Sequence, residues 1–378
     1  MLTNFIQFIK RDRLAQLLIL LFLGFLSWWI VLNILRASDF SFLFWGSFYQ
    51  TLAIVGGVAG LVISWRWGGL KSVMGRAIGI FAIGLLFQVL GQSIFSYYNV
   101  ILGVVEPYPS LADIGFFGSI PFYIYGIILL ARASGAKASL RSFTNQIQII
   151  TIPIIGLSLS YYFFLRSYEF DWSEPLRIFL DFGYPLSQVA YVTIALVTFL
   201  ISRKVLGGVM KNKIMFVLLA LLIQYAADYD FLYQAYNGTY SSGNYNDLIY
   251  MLAYLAMALS LLQLDVKYVS PRLGPVTQTS IGERLWQQLD QVATLIVEGQ
   301  ANIMGPLAWN EAEQVTGISL DASQSKVYLV GNNPPVVLEN LVARYERLFG
   351  RASIEVSRDA TRKFIPQVPL NQVPDVLK

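Results

Sequence analysis

The stretches ADIGFFGS (112–119) and LDFGYPLS (180–187) share one pattern: Asp, any residue, Gly, an aromatic, two more residues, then Ser. Each lies in an oily run, where an unpaired carboxylate is costly. An acid placed twice in the same setting points to a repeated element. Asp113 begins one apolar run and Asp181 lies in the first turns of another. Asp247 begins a third and Asp39 precedes a fourth, and each acid is followed three residues later by an aromatic: Phe42, Phe116, Tyr184 or Tyr250. The spacings from Asp113 to Asp181 and on to Asp247 are 68 and 66 residues. Gln88 and Gln92 likewise match Gln224 and Asp228, 136 residues on. Repeated helix hairpins of about 67 residues account for both series.

Composition sets the class. Of 378 residues, 56% are hydrophobic and 13% charged, with a mean hydropathy of +0.56. Soluble domains carry about 25% charged residues. A bilayer-spanning helix needs about 20 mostly apolar residues. Eight such runs occur: 14–35, 43–65, 77–98, 111–131, 147–165, 177–201, 214–233 and 247–264, the apolar part of the seventh stopping at Asp228. With eight spans, the basic loop residues fall on one side: Lys10, Arg11 and Arg13; Arg66, Lys71 and Arg76; Arg132, Lys137 and Arg141; Arg203, Lys204, Lys211 and Lys213; Lys267 and Arg272. The opposite side holds only Arg36, Arg166 and Arg177. Basic loops stay in the cytoplasm, so both termini are expected there, in a multi-pass protein of the cell membrane.

Beyond about residue 265 the chain turns polar. A linker with Pro271 and Pro275 leads to a capping box, Ser280 to Glu283, that opens a helix. Ile281, Leu285, Leu289, Val292 and Ile296 form a narrow apolar stripe on it, compatible with a two-helix seam. A short helix (305–314), a strand near 318–320, a second strand (326–331) and a helix from Asn333-Pro334 to Gly350 follow, then a last, basic helix (351–364). Glu339, Arg344, Glu346 and Arg347 read as a solvated helix face. The expected fold is therefore a membrane all-α one, a bundle of about eight transmembrane helices built from helix-hairpin repeats (1–265). A linker (266–282), a small cytoplasmic α+β domain (283–365) and a tail (366–378) complete it.

Two readings of the acids stand side by side. A carboxylate at a helix N-terminus meets unpaired N–H groups and the positive end of the helix dipole. Capping of this kind accounts for Asp39, Asp113 and Asp247. Ser110 with Asp113 resembles a capping box, Asn246 with Asp247 is a capping pair, and Arg177 can pair with Asp181 four residues on. The aromatics three residues inward would then sit at headgroup level. Asp181 and Asp228 lie within or at the edge of apolar runs, and such groups face a bundle interior or a wet cavity. Gln88, Gln92 and Gln224 should face inward too, and Pro121, Pro153 and Pro185 can kink their helices. Together these suggest an outward-facing polar pocket floored near Gln88, Gln224, Asp181 and Asp228. The alternative is interhelical hydrogen bonding with no ligand.

The chain has no cysteine and no histidine. That excludes disulfides, thiol nucleophiles, Cys/His zinc sites, a Ser-His-Asp triad and a phospho-acceptor histidine. No Walker loop, dinucleotide fingerprint or zinc signature occurs. Neither an enzyme nor a cofactor is expected, and the formal charge of +4 reads as loop bias, with no nucleic-acid partner. The expected partners are the lipid bilayer and, through residues 281–365, a second copy of the chain or another protein.

The runs EPYPSLADIGFFGSIPFY (106–123), LDFGYPLSQVAY (180–191) and GTYSSGNYNDLIYMLAYLAMA (238–258) resemble a multi-pass membrane sensory module of prokaryotic signalling proteins. There the module precedes diguanylate cyclase or histidine kinase outputs. The resemblance spans about residues 15–265 and rests on Pro-Ser-x-Ala-Asp, Asp-x-x-Tyr-Pro and Tyr-x-x-Gly-x-x-x-Asp. It implies a sensory or scaffolding role and singles out Asp113, Asp181, Tyr184, Pro185 and Asp247. The C-terminal 110 or so residues are too few for a cyclase and lack the histidine of a kinase. The expected function is a membrane receptor or scaffold in signal transduction, its pocket coupled to a non-catalytic interaction domain. A transporter or channel, or a structural subunit of a membrane complex, is the alternative.

Overall fold

The computed structural model describes residues 2–134, 143–166, 168, 170–205, 207–269, 283–321, 325–330, 333–368 and 372–378. Lys137, Arg141, Arg272, the linker prolines and residues 280–282 of the expected capping box and stripe lie outside the described residues. So do the side chains of Arg203, Lys204 and Leu285.

The chain begins with an amphipathic helix that the sequence reading missed, α1 (Leu2–Arg11). Then come α2 (Arg13–Ile34), α3 (Asp39–Tyr49), α4 (Thr51–Arg66), α5 (Val73–Ser96), α6 (Ala112–Ala133), α7 (Phe143–Ser160), α8 (Pro175–Val205), α9 (Met210–Tyr236) and α10 (Tyr245–Gln263). The second expected run is broken at Gln50 into α3 and α4, where that buried amide bonds Ser47 and Ser93 instead of lying in lipid. Helix α9 does not stop at Asp228 but continues two turns beyond it. Seven helical segments are long and apolar enough to cross a membrane by length and composition, which makes this a multi-pass membrane protein. The apolar segment Ile150–Leu165 is shorter.

The bundle has two chemically distinct ends. At the basic end Arg66 pairs with Asp265 at 2.6 Å, and Trp67 donates its indole N–H to the Leu264 carbonyl at 2.7 Å. Asp12, which caps α2 through the Ala15 N–H, also accepts from Tyr268 at 2.6 Å and pairs with Lys267 at 3.1 Å. Phe5 of α1 stacks on Phe216 and Phe8 meets Tyr268 edge to face, holding α1 to this end. The acidic end gathers the loops after α5 and α7 and the α9–α10 connection.

Glycines set how close the helices come. A Cβ on Gly115 of α6 would lie 2.2 Å from the Gly91 nitrogen of α5, and one on Gly56 of α4 would lie 2.5 Å from the Ala258 Cβ of α10. Small residues at such crossings let backbones touch, which strengthens packing where lipid supplies no hydrophobic drive. The crossing of α5 on α6 also brings Gln88 within 2.8 Å of Ser119. Below the acidic end, Ile78, Phe81, Ile127 and Leu218 are fully buried in a dry apolar core.

The C-terminal unit is built on α11 (Glu283–Met304). It adds α12 (Pro306–Glu313), an antiparallel hairpin of β1 (Ile318–Asp321) and β2 (Lys326–Leu329), α13 (Pro334–Phe349) and α14 (Arg351–Thr361). Leu289, Val292 and Ile296 are buried inside this unit. The described part of the stripe is therefore spent on the unit's own core instead of facing a second helix of another chain. The expected solvated face of α13 holds for Glu339 and Arg347, which are exposed, but not for Arg344, which is 16% exposed and pairs at 2.5 Å with the fully buried Glu311. A buried acid needs such a partner, and Arg347 adds a second at 3.3 Å.

The unit is docked on the basic end. The turn between α8 and α9 donates from the Gly207 N–H to the Phe349 carbonyl at 3.2 Å and from the Val209 N–H to the Arg347 carbonyl at 2.9 Å. Gly208 sits between them at a φ of +61°, and a Cβ there would lie 2.1 Å from the Arg347 oxygen.

Gly115→Ala should wedge α5 from α6, because the atoms it meets are backbone. The expected cost is about 1–3 kcal/mol, seen as a lower Tm of the detergent-solubilised protein, whereas Gly24→Ala, which meets nothing within 4 Å, should leave Tm unchanged.

Candidate functional site

A cavity of about 600 Å³ opens at the acidic end, among α5, α6, α8, α9 and α10. The structure places Gln88, Gln92, Asp113 and Asp181 on its wall, together with Tyr184, Pro185, Asp228 and Asp247. Gln224 and Ser110 stand one hydrogen bond behind it. Asp39 is exposed in the first turn of α3 and takes no part.

The two opening motifs hold each other. Tyr184 of the second donates at 2.7 Å to Asp113 of the first. Tyr108, five residues before Asp113, donates at 2.8 Å to Asp181. Asp181 accepts a second phenol, Tyr168, at 2.8 Å on its other oxygen. Arg177 is 3.9 Å from Asp181 but 3.2 Å from Glu174, so the expected i,i+4 pair is the weaker of its two contacts. The other carboxylate oxygen of Asp113 accepts the Ser110 N–H at 2.8 Å, while the Ser110 hydroxyl takes the Ala112 N–H. Asp113 therefore holds the chain entering α6, whose N-cap residue Leu111 makes no side-chain cap, and faces the cavity at once.

Asp228 accepts from Gln188 at 3.0 Å and from Gln224 at 2.9 Å. Asp247 accepts the Gly243 N–H at 2.6 Å, and the cap of α10 is Asn244 rather than Asn246. Asn246 instead turns to the Ala227 carbonyl and Asp230. Gln92 reaches the Gly46 carbonyl at 3.4 Å. Pro185 lacks an N–H, so the carbonyl of Asp181 four residues earlier loses its helical partner on the cavity side.

Three of the four aromatics three residues inward turn to the cavity. Phe116, Tyr184 and Tyr250 line the cavity, and Phe42 covers Gly243. Helices α5 and α7 both end in a π turn, Tyr97–Ile101 and Tyr161–Leu165, beside the cavity. These turns rotate the last side chains off the α-helical register, and Phe164 thereby reaches the wall.

Gln188, Tyr108, Tyr168 and Glu106 were missed in the sequence. For Gln188 a signal existed: Asp181, Tyr184 and Gln188 are spaced three and four, one helical face. The loop residues carried no periodic signal. Among the described residues no three acids stand close enough to share a metal ion. The wall offers carboxylates, amides, phenols and ring faces, which is binding chemistry for a molecule of drug size.

Glu106 lies in the loop over the cavity. Burial raises its carboxyl above the ordinary value of 4.5; the Ser110 hydroxyl opposes this and Asp113 adds to it. A raised carboxyl costs stability when ionised, so the penalty is present above the folded pKa and fades as pH falls through it toward 4.5. Glu106→Gln should therefore raise Tm at neutral pH and shrink the gain that the wild-type chain shows on acidification to about pH 5, as thermal denaturation at the two pH values will read. No family model, no curated protein and no solved structure matches this chain.

Proposed function

We propose that the chain is a multi-pass membrane receptor of the signalling type, in which a ligand in the acidic-end cavity biases the C-terminal unit. One observation carries the reading. Helices α8 and α9 supply Asp181, Tyr184, Gln188 and Asp228 to the cavity, and the turn joining them at the far end, Gly207 to Val209, is hydrogen-bonded to α13. Helix α8 has 31 residues, about 46 Å at 1.5 Å per residue, so it reaches from ligand cavity to C-terminal unit as one continuous helix. The resemblance of residues 15–265 to a prokaryotic sensory module supports the same role. The C-terminal unit then acts by contact with a partner, without chemistry of its own. A transporter would need polar groups near the midplane, and the buried Ile78, Phe81, Ile127 and Leu218 beneath the cavity argue against that path.

In this reading α7 completes an eighth crossing, and the hairpin repeats share the cavity between them. The basic end and both termini face the cytoplasm of the cell membrane. The chain has no cysteine, so topology can be read from single replacements. In intact cells Ser241→Cys should react with an impermeant maleimide and Lys326→Cys should not; the reverse pattern would invert the protein.

Coupling is tested on the full chain in nanodiscs. Tyr184→Phe removes the donor to Asp113 and should change hydrogen exchange at the Gly207 and Val209 amides by about threefold or more, a shift of at least about 0.65 kcal/mol. Unchanged exchange there, with altered exchange around Asp113, would make the bundle a static subunit.

A further inference from the structure

The cavity wall is acidic and aromatic, with little to balance its charge. Five carboxyl groups line it: Glu106, Asp113, Asp181, Asp228 and Asp247. The cation on the wall is Arg177, half exposed at the rim and nearer Glu174 than Asp181. Among the described residues, no Lys or Arg nitrogen lies within 4.0 Å of Asp113, Asp228 or Asp247. Carboxylates at such depth usually face a counter-charge. Among the described residues no three acids stand close enough to share a metal ion, which favours an organic cation over a carboxylate-held metal.

Gln188 gives an independent sign of what does. It is 3% exposed and lines the cavity. Its Nε2 donates to Asp228, and its Oε1 is buried with no donor. The amide cannot be turned over, because that would set its oxygen against the carboxylate. Asp228 has about four lone-pair sites and receives two donors, Gln188 and Gln224. Two sites of Asp228 and the Gln188 oxygen thus lack a donor; the oxygen is closed off from the cavity space and meets a ligand N–H after a turn of the Gln188 side chain. A quaternary ammonium could offer charge but no such donor. The ring faces of Phe116, Phe231, Tyr250 and Tyr254 lie on the same wall. They favour a cation above them and an apolar body between them.

We propose that the cavity binds a protonated amine with an apolar body, its ammonium N–H groups shared between Asp228 and the Gln188 oxygen. The inference rests on the reading of this cavity as a ligand site and names the ligand's chemistry. A soluble amine and the ethanolamine headgroup of a lipid share that chemistry.

The test uses the full chain in phosphatidylcholine nanodiscs, titrated with 2-phenylethylamine, its trimethylammonium analogue and 2-phenylethanol, and read by calorimetry. The amine should bind about tenfold or more tightly than either of the others, with Gln188→Leu and Asp228→Asn each lowering its affinity about tenfold. The comparison of ligands on the wild-type chain stands even if a variant fails to fold. Discs containing phosphatidylethanolamine identify the source. A higher Tm and weaker amine binding there assign the site to the lipid headgroup, and unchanged values assign it to a soluble amine; both support the proposal. Equal binding of the alcohol, or no amine binding together with no lipid effect, overturns it. Hydrogen exchange at Gly207 and Val209 keeps the two readings apart. Amine binding without a change there retains the ligand class and overturns the receptor. Equal alcohol binding with a change there retains the receptor and overturns the amine.

Discussion

The acidic end depends on an exchange of tyrosines between two helices. Tyr184 of α8 donates to Asp113 of α6, and Tyr108, leading into α6, donates to Asp181 of α8. Each carboxylate thereby gains a strong, charge-assisted bond from the other helix hairpin. Removing either phenol would leave an acid in an oily wall with too few donors. Because the bonds are reciprocal, they fix both the spacing and the rotation of α6 against α8, and the cavity is the space those two constraints leave.

Close packing elsewhere makes that exchange geometrically available. Gly115 on Gly91 brings α6 onto α5, and Gly56 on Ala258 brings α4 onto α10. With the backbones in contact, the deep polar groups reach one another: Gln88 finds Ser119, and Asp228 gathers Gln188 and Gln224. Below them the bundle is dry and apolar. The polar groups of the cavity are therefore gathered toward one end, and a molecule entering from that side meets an apolar floor.

The opposite end turns the bundle into a platform. Asp12, Arg66, Asp265 and Lys267 tie α1, α2, α4 and α10 together. Burial would raise the Asp12 carboxyl, but bonds from Tyr268, the Ala15 N–H and Lys267 outweigh it and hold the group below the ordinary range. On this platform the C-terminal unit sits through backbone contacts at Gly207, Gly208 and Val209. The stripe that looked available for another chain closes the unit's own core instead, and the Glu311–Arg344 pair locks α13 to α12.

Much of this was legible in the residues alone. Hydropathy located seven long apolar segments to within a few residues, its fifth run proving shorter, and the acid-to-aromatic spacing of three marked α6, α8 and α10 on the cavity but also α3, whose Asp39 takes no part. Strand and helix order in the C-terminal unit followed from local turn and capping signals, because those depend on neighbours in sequence. What hydropathy and spacing could not decide was which acid meets which phenol. Tyr184 and Asp113 are 71 residues apart, and Tyr108 and Asp181 are 73. Their meeting depends on how far each helix is rotated and how closely it crosses its neighbour. The same holds for the π turns that swing Phe164 inward, the break at Gln50 and the burial of Glu311. The sequence by itself determined that acids, amides and aromatics would gather at one end of a helical bundle, since burying them singly in lipid is too costly. Only the tertiary structure decided their partners, because a hydrogen bond is satisfied by direction and distance, and those are properties of packed helices.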